Sequence, residues 1–179
     1  MLFSNGSVRP SQLPGDSNYY LSRDHHYPMW EAFPNGGAWN IKLDKRGDVM
    51  DRMWEELFLA TIGEAFGEPD VVAIVLAIRS QRNFLSVWNA DNMNHAVRFQ
   101  ISETLRALFS IRGVTDSLEY KSHATSMKDG STFRNAMTYQ SVVTQEPAAK
   151  KNPTEAAKAA GTKPPPNSPA KVAKGSAKA

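Results

Sequence analysis

Eight apolar residues follow one another without interruption at positions 71–78, and this run sets the architecture expected for the whole chain. It is rich in β-branched residues and far shorter than the ~20 apolar residues that a membrane helix needs. Such a run is typical of a central strand that is buried on both faces. A turn-like segment at residues 80–83 and a second strand at residues 84–88 follow, so the sequence predicts an antiparallel hairpin over residues 71–88.

Hydrophobic periodicity predicts the elements around this hairpin. Helical spacing predicts one helix over residues 48–66, with Asp48 as its N-cap and Gly67 just beyond its end. A second helix is predicted over residues 93–109, closed by Gly113. The shorter segments are a strand at residues 19–22, a strand at residues 39–44 with one buried face, an alternating stretch at residues 118–122, a mobile loop at residues 126–132 and a last strand at residues 136–143.

Charge and composition divide the chain into a folded part, residues 1–145, and a tail, residues 146–179. The tail holds seven Lys against two Glu, so it contributes +5 to a net charge of +3 and leaves −2 for the rest. It has no aromatic residue and a single Val, so it cannot bury enough apolar area to offset chain entropy, and we expect it to be disordered. Its lysines are compatible with weak, salt-sensitive RNA affinity and equally with a solvated tail.

Several classes of function have no support in the sequence. The chain has no Cys, which excludes disulfides and thiolate metal sites, and its four His lack partners at ligand spacing. We therefore expect neither a metal nor a cofactor. No long apolar segment indicates a membrane helix or an export signal. No nucleophile elbow, phosphate-cradling glycine loop or paired-acid motif indicates an enzyme.

The stretch at residues 27–44 joins a binding loop to a strand through the turn residues Gly36 and Gly37. Pro28 and Pro34 fix their φ angles and exclude helix on either side, so Trp30 and Glu31 are expected on a constrained loop. A Trp ring offers a flat π face and the neighbouring carboxylate accepts hydrogen bonds. Together they suit a planar cationic ring with adjacent N–H donors, and methylated guanine is such a ring.

The order of several motifs is similar to that of a known family. PMWE, GGAWNI, DRMWEELFLATIGEAF, a hairpin that ends in Trp88, and YKSHATSMKDGST succeed one another over roughly residues 14–139. This combination resembles the eukaryotic translation initiation factor 4E family, which binds the 7-methylguanosine cap of messenger RNA. The resemblance implies an α+β fold with a curved antiparallel sheet backed by helices on its convex face. It also implies that the cap binds on the concave face and protein partners bind on the helical side.

The resemblance assigns roles around the methylated base and the phosphates. Trp30 resembles one of the two tryptophans that sandwich the base, Glu31 the carboxylate that accepts its N–H groups, and Trp88 the tryptophan packed near the methyl group. Arg79 resembles the arginine that holds the cap phosphates. Phe84 stands where the family usually has a phosphate-binding lysine, so Arg82 is the expected substitute, and Ser131 falls where some relatives are phosphorylated.

The resemblance also implies a docking site for protein partners on the first predicted helix. Its members are Trp54, Glu56, Leu59 and Gly63. The implied partner is a Tyr-x-x-x-x-Leu helix carried by an initiation factor 4G-like scaffold or by a 4E-binding protein. Trp residues are mostly buried, however, and by that rule both Trp39 and Trp54 belong to the core.

The resemblance covers only the later part of the family pattern. The second stacking Trp of that pattern and its first strands have no counterpart after Met1. We expect either that the reading frame continues upstream of Met1 or that the chain is a reduced paralogue. Two functions therefore stay open. One is a factor that binds capped messenger RNA and recruits it to translation, and the other is an interaction module or translational repressor with weak or no cap binding. A cytoplasmic location is expected, and an additional nuclear one is compatible with this reading.

Overall fold

A computed structural model of the chain describes residues 8–43, 47–109 and 118–138. These segments contain six strands, three α-helices and three short 3₁₀ turns. The strands are β1 (Asn18–Ser22), β2 (Gly37–Leu43), β3 (Val71–Ala77), β4 (Asn83–Asn89), β5 (Leu118–Ser122) and β6 (Met137–Thr138); the helices are α1 (Gly47–Ile62), α2 (His95–Leu108) and α3 (His123–Asp129); the turns are Pro10–Gln12, Arg23–His25 and Trp30–Ala32.

The six strands form one sheet in the order β1-β3-β4-β2-β5-β6, and every neighbouring pair is antiparallel. The hairpin predicted over residues 71–88 is confirmed, because β3 pairs with β4 and Leu76 lies opposite Leu85. The predicted α+β class, an antiparallel sheet with helices, is also confirmed.

Successive side chains along each strand lie on opposite faces of the sheet. On one face, buried strand residues pack with α1 and α2 to form the main hydrophobic core. On the other face, Ala38, Ala73, Val75 and Trp88 form a smaller cluster, and Trp30 packs against it. We call this second side the groove face.

Strand β2 is buried on both faces, so the expectation of a single buried face is wrong. Six of its seven residues are buried and Lys42 is half-buried. On the groove face, Asn40 accepts a hydrogen bond from the Ser86 hydroxyl at 2.6 Å and donates to the Thr132 carbonyl oxygen at 3.3 Å. The loop after α3 covers this part of the strand, and the alternation of residue types does not reveal such a cover.

Glycine is required where β2 begins, because its backbone runs against neighbouring groups. A Cβ atom at Gly36 would collide with the carbonyl oxygen of Asn89, and one at Gly37 would collide with the Tyr120 ring. The Gly-Gly pair is therefore needed for close approach of the chain, and this is one of the established uses of glycine.

Helix α1 is shorter than predicted and ends at Ile62. Two residues later, Glu64 adopts a left-handed conformation with a φ angle of 53°, which stops the helix before residue 66. Asp48 lies inside the first turn, because the helix begins at Gly47, so the prediction of Asp48 as N-cap is wrong. Helix α2 is confirmed, and the Asn94 side chain caps it.

The prediction of a mobile loop at residues 126–132 is also wrong. Helix α3 covers much of this stretch and begins where the Ser122 hydroxyl accepts the Thr125 N–H at 3.3 Å. It ends at Gly130, whose φ angle of 62° is the left-handed conformation typical of a helix C-terminus. Ser126 and Ser131 are both buried. Polar composition suggested mobility, but these polar groups are used in internal hydrogen bonds.

Several predictions fall outside the described residues and stay predictions. These are Gly113, the last strand beyond Thr138, the boundary between residues 145 and 146, and the tail at 146–179. None of the described helices is long and apolar enough to cross a membrane. Among the described residues, no group of three or more His, Cys, Asp or Glu could hold a metal ion.

Candidate nucleotide-binding groove

A groove of about 590 Å³ opens on the groove face, between the Trp30–Ala32 turn and the loop that follows α3. It brings together four of the five residues assigned to cap binding by resemblance, namely Trp30, Glu31, Arg79 and Trp88. The fifth, Arg82, lines an adjoining groove of about 580 Å³. The topology unites them because β3 and β4 are neighbours and the turn lies beside them.

Trp30 and Glu31 stand at the edge of the groove in a single 3₁₀ turn, where the flanking prolines had suggested a loop. Trp30 is half-buried and packs against the cluster that includes Trp88. Its indole is therefore held in place while part of the ring stays open. Glu31 is exposed and forms no ion pair with any described residue, so its carboxylate is available to a ligand.

Arg79 is anchored to the edge of the sheet before any ligand arrives. One terminal nitrogen donates to the carbonyl oxygens of Ser17 at 3.0 Å and Ile78 at 2.8 Å, and the other donates to the Asn18 side chain at 2.8 Å. A guanidinium has five N–H donors, so two remain for a ligand. The anchoring reduces the conformational freedom that the side chain would lose on binding.

Trp88 forms the floor of the groove and stacks at an angle on a histidine that we did not assign to the site from the sequence. The rings of Trp88 and His123 lie 4.3 Å apart, and both residues are buried. His123 Nδ1 lies 2.8 Å from the carbonyl oxygen of Phe33 and is the donor of this hydrogen bond, because a carbonyl oxygen only accepts. The bond ties α3 to the end of the Trp30–Ala32 turn. Burial lowers the pKa of His123, which favours the neutral ring.

Lys121 is a second residue that sequence analysis missed, since a lysine in a polar segment gives no sign of burial. Its side chain is 1% exposed, and its ammonium group donates to both oxygens of Asp129 at 2.8 Å and to the Ser131 carbonyl oxygen at 2.7 Å. The hydrogen bond from Lys121 lowers the pKa of Asp129. These bonds hold the loop at residues 130–134 against the groove.

Comparison with known proteins places this chain in one family. The family model described as eukaryotic initiation factor 4E matches residues 2–138. The chain belongs to the eukaryotic initiation factor 4E family. It is 35% identical over 131 residues to a translation initiation factor NCBP of Triticum aestivum and 35% identical over 134 residues to translation initiation factor 4E1 of Drosophila melanogaster. Each match covers 72% of this chain.

Solved structures of 4E proteins share the fold. A complex of C. elegans eIF4E-3 with the 4E-binding protein Mextli and cap analog has a TM-score of 0.64 at 28% identity, covering 71% of this chain and 75% of that one. A complex of Ascaris suum eIF4E-3 with m7G cap has a TM-score of 0.61 at 30% identity, covering 70% and 73%. The chain spans about half the length of the curated relatives it matches, 55% and 51% of the two named above.

The residues assigned to partner docking on helix α1 of this 4E family member differ in their exposure. Trp54 is 2% exposed and stacks on Tyr19 at 5.2 Å, so its assignment to the core is right and it offers little surface to a partner. Leu59 is 43% exposed, Gly63 is exposed and Glu56 is half-buried. These three remain a candidate docking surface.

Ser131, predicted by resemblance as a phosphorylation site, is 6% exposed. Its hydroxyl accepts hydrogen bonds from the backbone N–H groups of Arg134 at 3.1 Å and Phe133 at 3.4 Å, so it closes the turn beside the groove. A kinase would have to open this turn to reach the hydroxyl. Phosphorylation of Ser131 stays a prediction.

Proposed function

We propose that this chain binds the 7-methylguanosine cap of messenger RNA in the groove and recruits it to translation initiation through a scaffold partner. The observation that carries the proposal is the meeting of Trp30, Glu31 and Arg79 around one groove of about 590 Å³. An open indole face, an unpaired carboxylate and an anchored guanidinium match the three chemical parts of a cap.

Each residue meets a different part of that ligand. Methylation makes guanine cationic, so stacking on Trp30 gains a charge–quadrupole contribution of ~2 kcal/mol when water is excluded. The Glu31 carboxylate accepts the two adjacent N–H groups of the base in a charge-assisted pair. The two free donors of Arg79 suit phosphate oxygens. Unmethylated guanine lacks the cationic contribution, and discrimination follows from that difference.

The relatives support the same ligand. The Ascaris suum eIF4E-3 structures contain an m7G cap in one case and an m2,2,7G cap in another, and the C. elegans eIF4E-3 complex contains a cap analog with a 4E-binding protein. The relatives named above are translation initiation factors, so we propose a binding role and no enzymatic reaction, with action in the cytoplasm.

Retention on a resin that carries 7-methyl-GTP tests the proposal directly. We expect the protein to be retained and then eluted by free 7-methyl-GTP but not by GTP at the same concentration. Glu31→Gln should lose retention, because an amide cannot replace the acceptor-only carboxylate. Glu68→Gln makes the same chemical change outside the groove and should be retained. Equal elution by GTP, or equal retention of the two variants, would contradict the proposal.

A second candidate is an interaction module or translational repressor with weak or no cap binding. Two observations favour it. The phosphate side carries the buried Phe84 in place of the expected lysine, and Leu59 and Ile62 at the end of α1 are 43% and 54% exposed. Binding of a Tyr-x-x-x-x-Leu peptide by a protein that passes through the 7-methyl-GTP resin would establish this second candidate.

A further inference from the structure

We propose that Arg98, a buried arginine on α2, is a positioning residue that fixes the Trp30–Ala32 turn at the edge of the groove. It acts through Asn92 and Asn35 and is not among the residues that line the groove. This inference rests on the proposed cap-binding function, because the turn carries two of the residues assigned to the methylated base. It adds α2 to the parts of the fold on which that binding depends.

Arg98 is buried near the beginning of α2 without an acidic partner. It is 4% exposed, and no described carboxylate forms an ion pair with it. Its guanidinium lies over the ring of Tyr120, 4.5 Å from the centroid, where the face of the ring attracts a cation. Arginine is almost never fully buried unless it is paired, and an unpaired buried charge opposes folding. A benefit other than stability is therefore expected from this residue.

Three hydrogen bonds lead from this cation to the loop that follows the turn. One terminal nitrogen of Arg98 donates to the carbonyl oxygen of Asn92 at 2.7 Å. The backbone N–H of Asn92 donates to the carbonyl oxygen of Asn35 at 2.8 Å. The side-chain amide of Asn92 donates to the same oxygen. Asn92 therefore links the buried charge to a loop that lies far away along the sequence.

The loop reached by this path is joined directly to the turn. Asn35 precedes Gly36, whose N–H donates to the carbonyl oxygen of Phe33 at 2.9 Å. The N–H of Phe33 donates in turn to the carbonyl oxygen of Trp30 at 3.2 Å. From the other side, the backbone N–H of His123 donates to the carbonyl oxygen of Gly36 at 2.9 Å. The loop is thus held by α3 on one side and by α2 on the other.

The position of the turn matters because its two functional side chains must meet one flat ligand together. Trp30 offers its ring face and Glu31 its carboxylate, so a small shift of the turn would misalign both. Side chains that are held before a ligand arrives lose less conformational freedom on binding. The hydrogen bond from Arg98 is charge-assisted and part-buried, so it restrains Asn92 more firmly than a neutral donor would. Loss of Arg98 should loosen the turn while the core stays intact.

The first test follows the turn itself and needs no ligand. The full chain is labelled with fluorotryptophan, and the fluorine NMR signal of Trp30 is assigned with Trp30→Phe. We expect one narrow line in the unmodified chain and a broadened or split line in Arg98→Met, which keeps an apolar stem but has no donor. Arg98→Lys keeps a cationic donor and should restore the narrow line. Arg106→Met removes an arginine from the same helix outside this path and should leave the signal unchanged.

Urea unfolding of the same variants separates positioning from simple structural support. Arg98→Met should have the same midpoint as the unmodified chain or a higher one, because an apolar side chain replaces an unpaired buried charge. An arginine with a structural role alone would give a lower midpoint. Asn92→Asp is an independent variant of the path, since it places an acceptor against the Asn35 carbonyl oxygen. It should also broaden the Trp30 line.

Calorimetry with 7-methyl-GTP connects the turn to the proposed function. Arg98→Met should weaken binding about tenfold, the fold-change that corresponds to one net hydrogen bond, and Arg106→Met should not weaken it. An unchanged Trp30 line or an unchanged affinity in Arg98→Met overturns the inference. A lower urea midpoint in that variant, or failure of Arg98→Lys to restore the line, overturns it as well. If the unmodified chain does not bind 7-methyl-GTP, the proposed function fails, and the Trp30 line alone then decides whether Arg98 positions the turn.

Discussion

Lys121 donates from its buried ammonium group to both carboxylate oxygens of Asp129, each at 2.8 Å. Its third bond reaches the Ser131 carbonyl oxygen at 2.7 Å, so all three donors of the ammonium are used. The side chain of Asp129 is 17% exposed against 1% for Lys121. The pair therefore fixes one wall of the groove through a charge that has no access to water.

Asp129→Asn should destabilise the protein strongly, because it leaves the Lys121 charge buried without its counterion. We expect the urea midpoint of unfolding to fall, because removal of one partner of a buried ion pair leaves the other charge buried and uncompensated. Urea unfolding followed by circular dichroism measures it. Asp24→Asn makes the same change at an exposed position and should be neutral; an equal midpoint for the two variants would contradict a structural role for the pair.

Stability should fall as the pH drops below about 6.5, the ordinary pKa of histidine, because burial lowers the pKa of His123. Below that value the unfolded chain binds a proton that the folded chain rejects, so protonation favours unfolding. His123 thus contributes stability that is complete above the unfolded pKa and is lost towards the lower folded pKa. The slope can reach about 1.4 kcal/mol per pH unit for one proton.

Urea unfolding at about pH 7.5, 6.5 and 5.5 tests this pH dependence. His123→Gln should remove most of the slope over this range, at the cost of lower stability at every pH. His25→Asn is the matched control, because His25 is exposed and its φ angle of 58° is one that asparagine tolerates. A slope that survives in His123→Gln would assign the effect to other groups.

Trp30→Ala should weaken 7-methyl-GTP binding by ~1–3 kcal/mol, the usual contribution of one stacked base. Intrinsic fluorescence is a direct readout, because Trp39, Trp54 and Trp88 are at most 5% exposed and Trp30 is the most accessible of the four. Ligand quenching should largely disappear in the variant. Trp30→Phe keeps a smaller ring and should have an intermediate affinity; full affinity in Trp30→Ala would remove Trp30 from the site.

Trp54→Ala and Leu59→Ala should separate stability from partner binding on α1. Trp54 lies in the core, so its truncation should lower the free energy of unfolding by about 3–5 kcal/mol. Leu59 is exposed, so its truncation should leave unfolding unchanged and weaken binding of a Tyr-x-x-x-x-Leu peptide. Arg52→Ala, at another exposed position of α1, controls for helix surface changes. Unaltered peptide binding in Leu59→Ala would move the docking surface elsewhere.

Local pattern in the sequence was enough to predict the hairpin over residues 71–88, helix α2 and most of α1. The helices rest on a hydrophobic period and the hairpin on an uninterrupted apolar run, and each of these signals is read within one segment. The motif PMWE also led to Trp30 and Glu31, because a tryptophan beside an acid between two prolines is visible without any tertiary contact. The family likeness supplied Arg79 and Trp88.

The tertiary structure decided what depends on contacts between distant residues. Lys121 becomes a buried anchor only because Asp129 and the Ser131 carbonyl oxygen surround it, so residues 126–132 are held where their polar composition had suggested a mobile loop. Trp54 is core because Tyr19 stacks on it from 35 positions away by the numbering. Phe84 and Phe133 meet only after α3 turns the chain back across the sheet. Contacts of this kind produce no periodic pattern in the sequence, because the burial of each residue depends on a partner that lies far away along the chain.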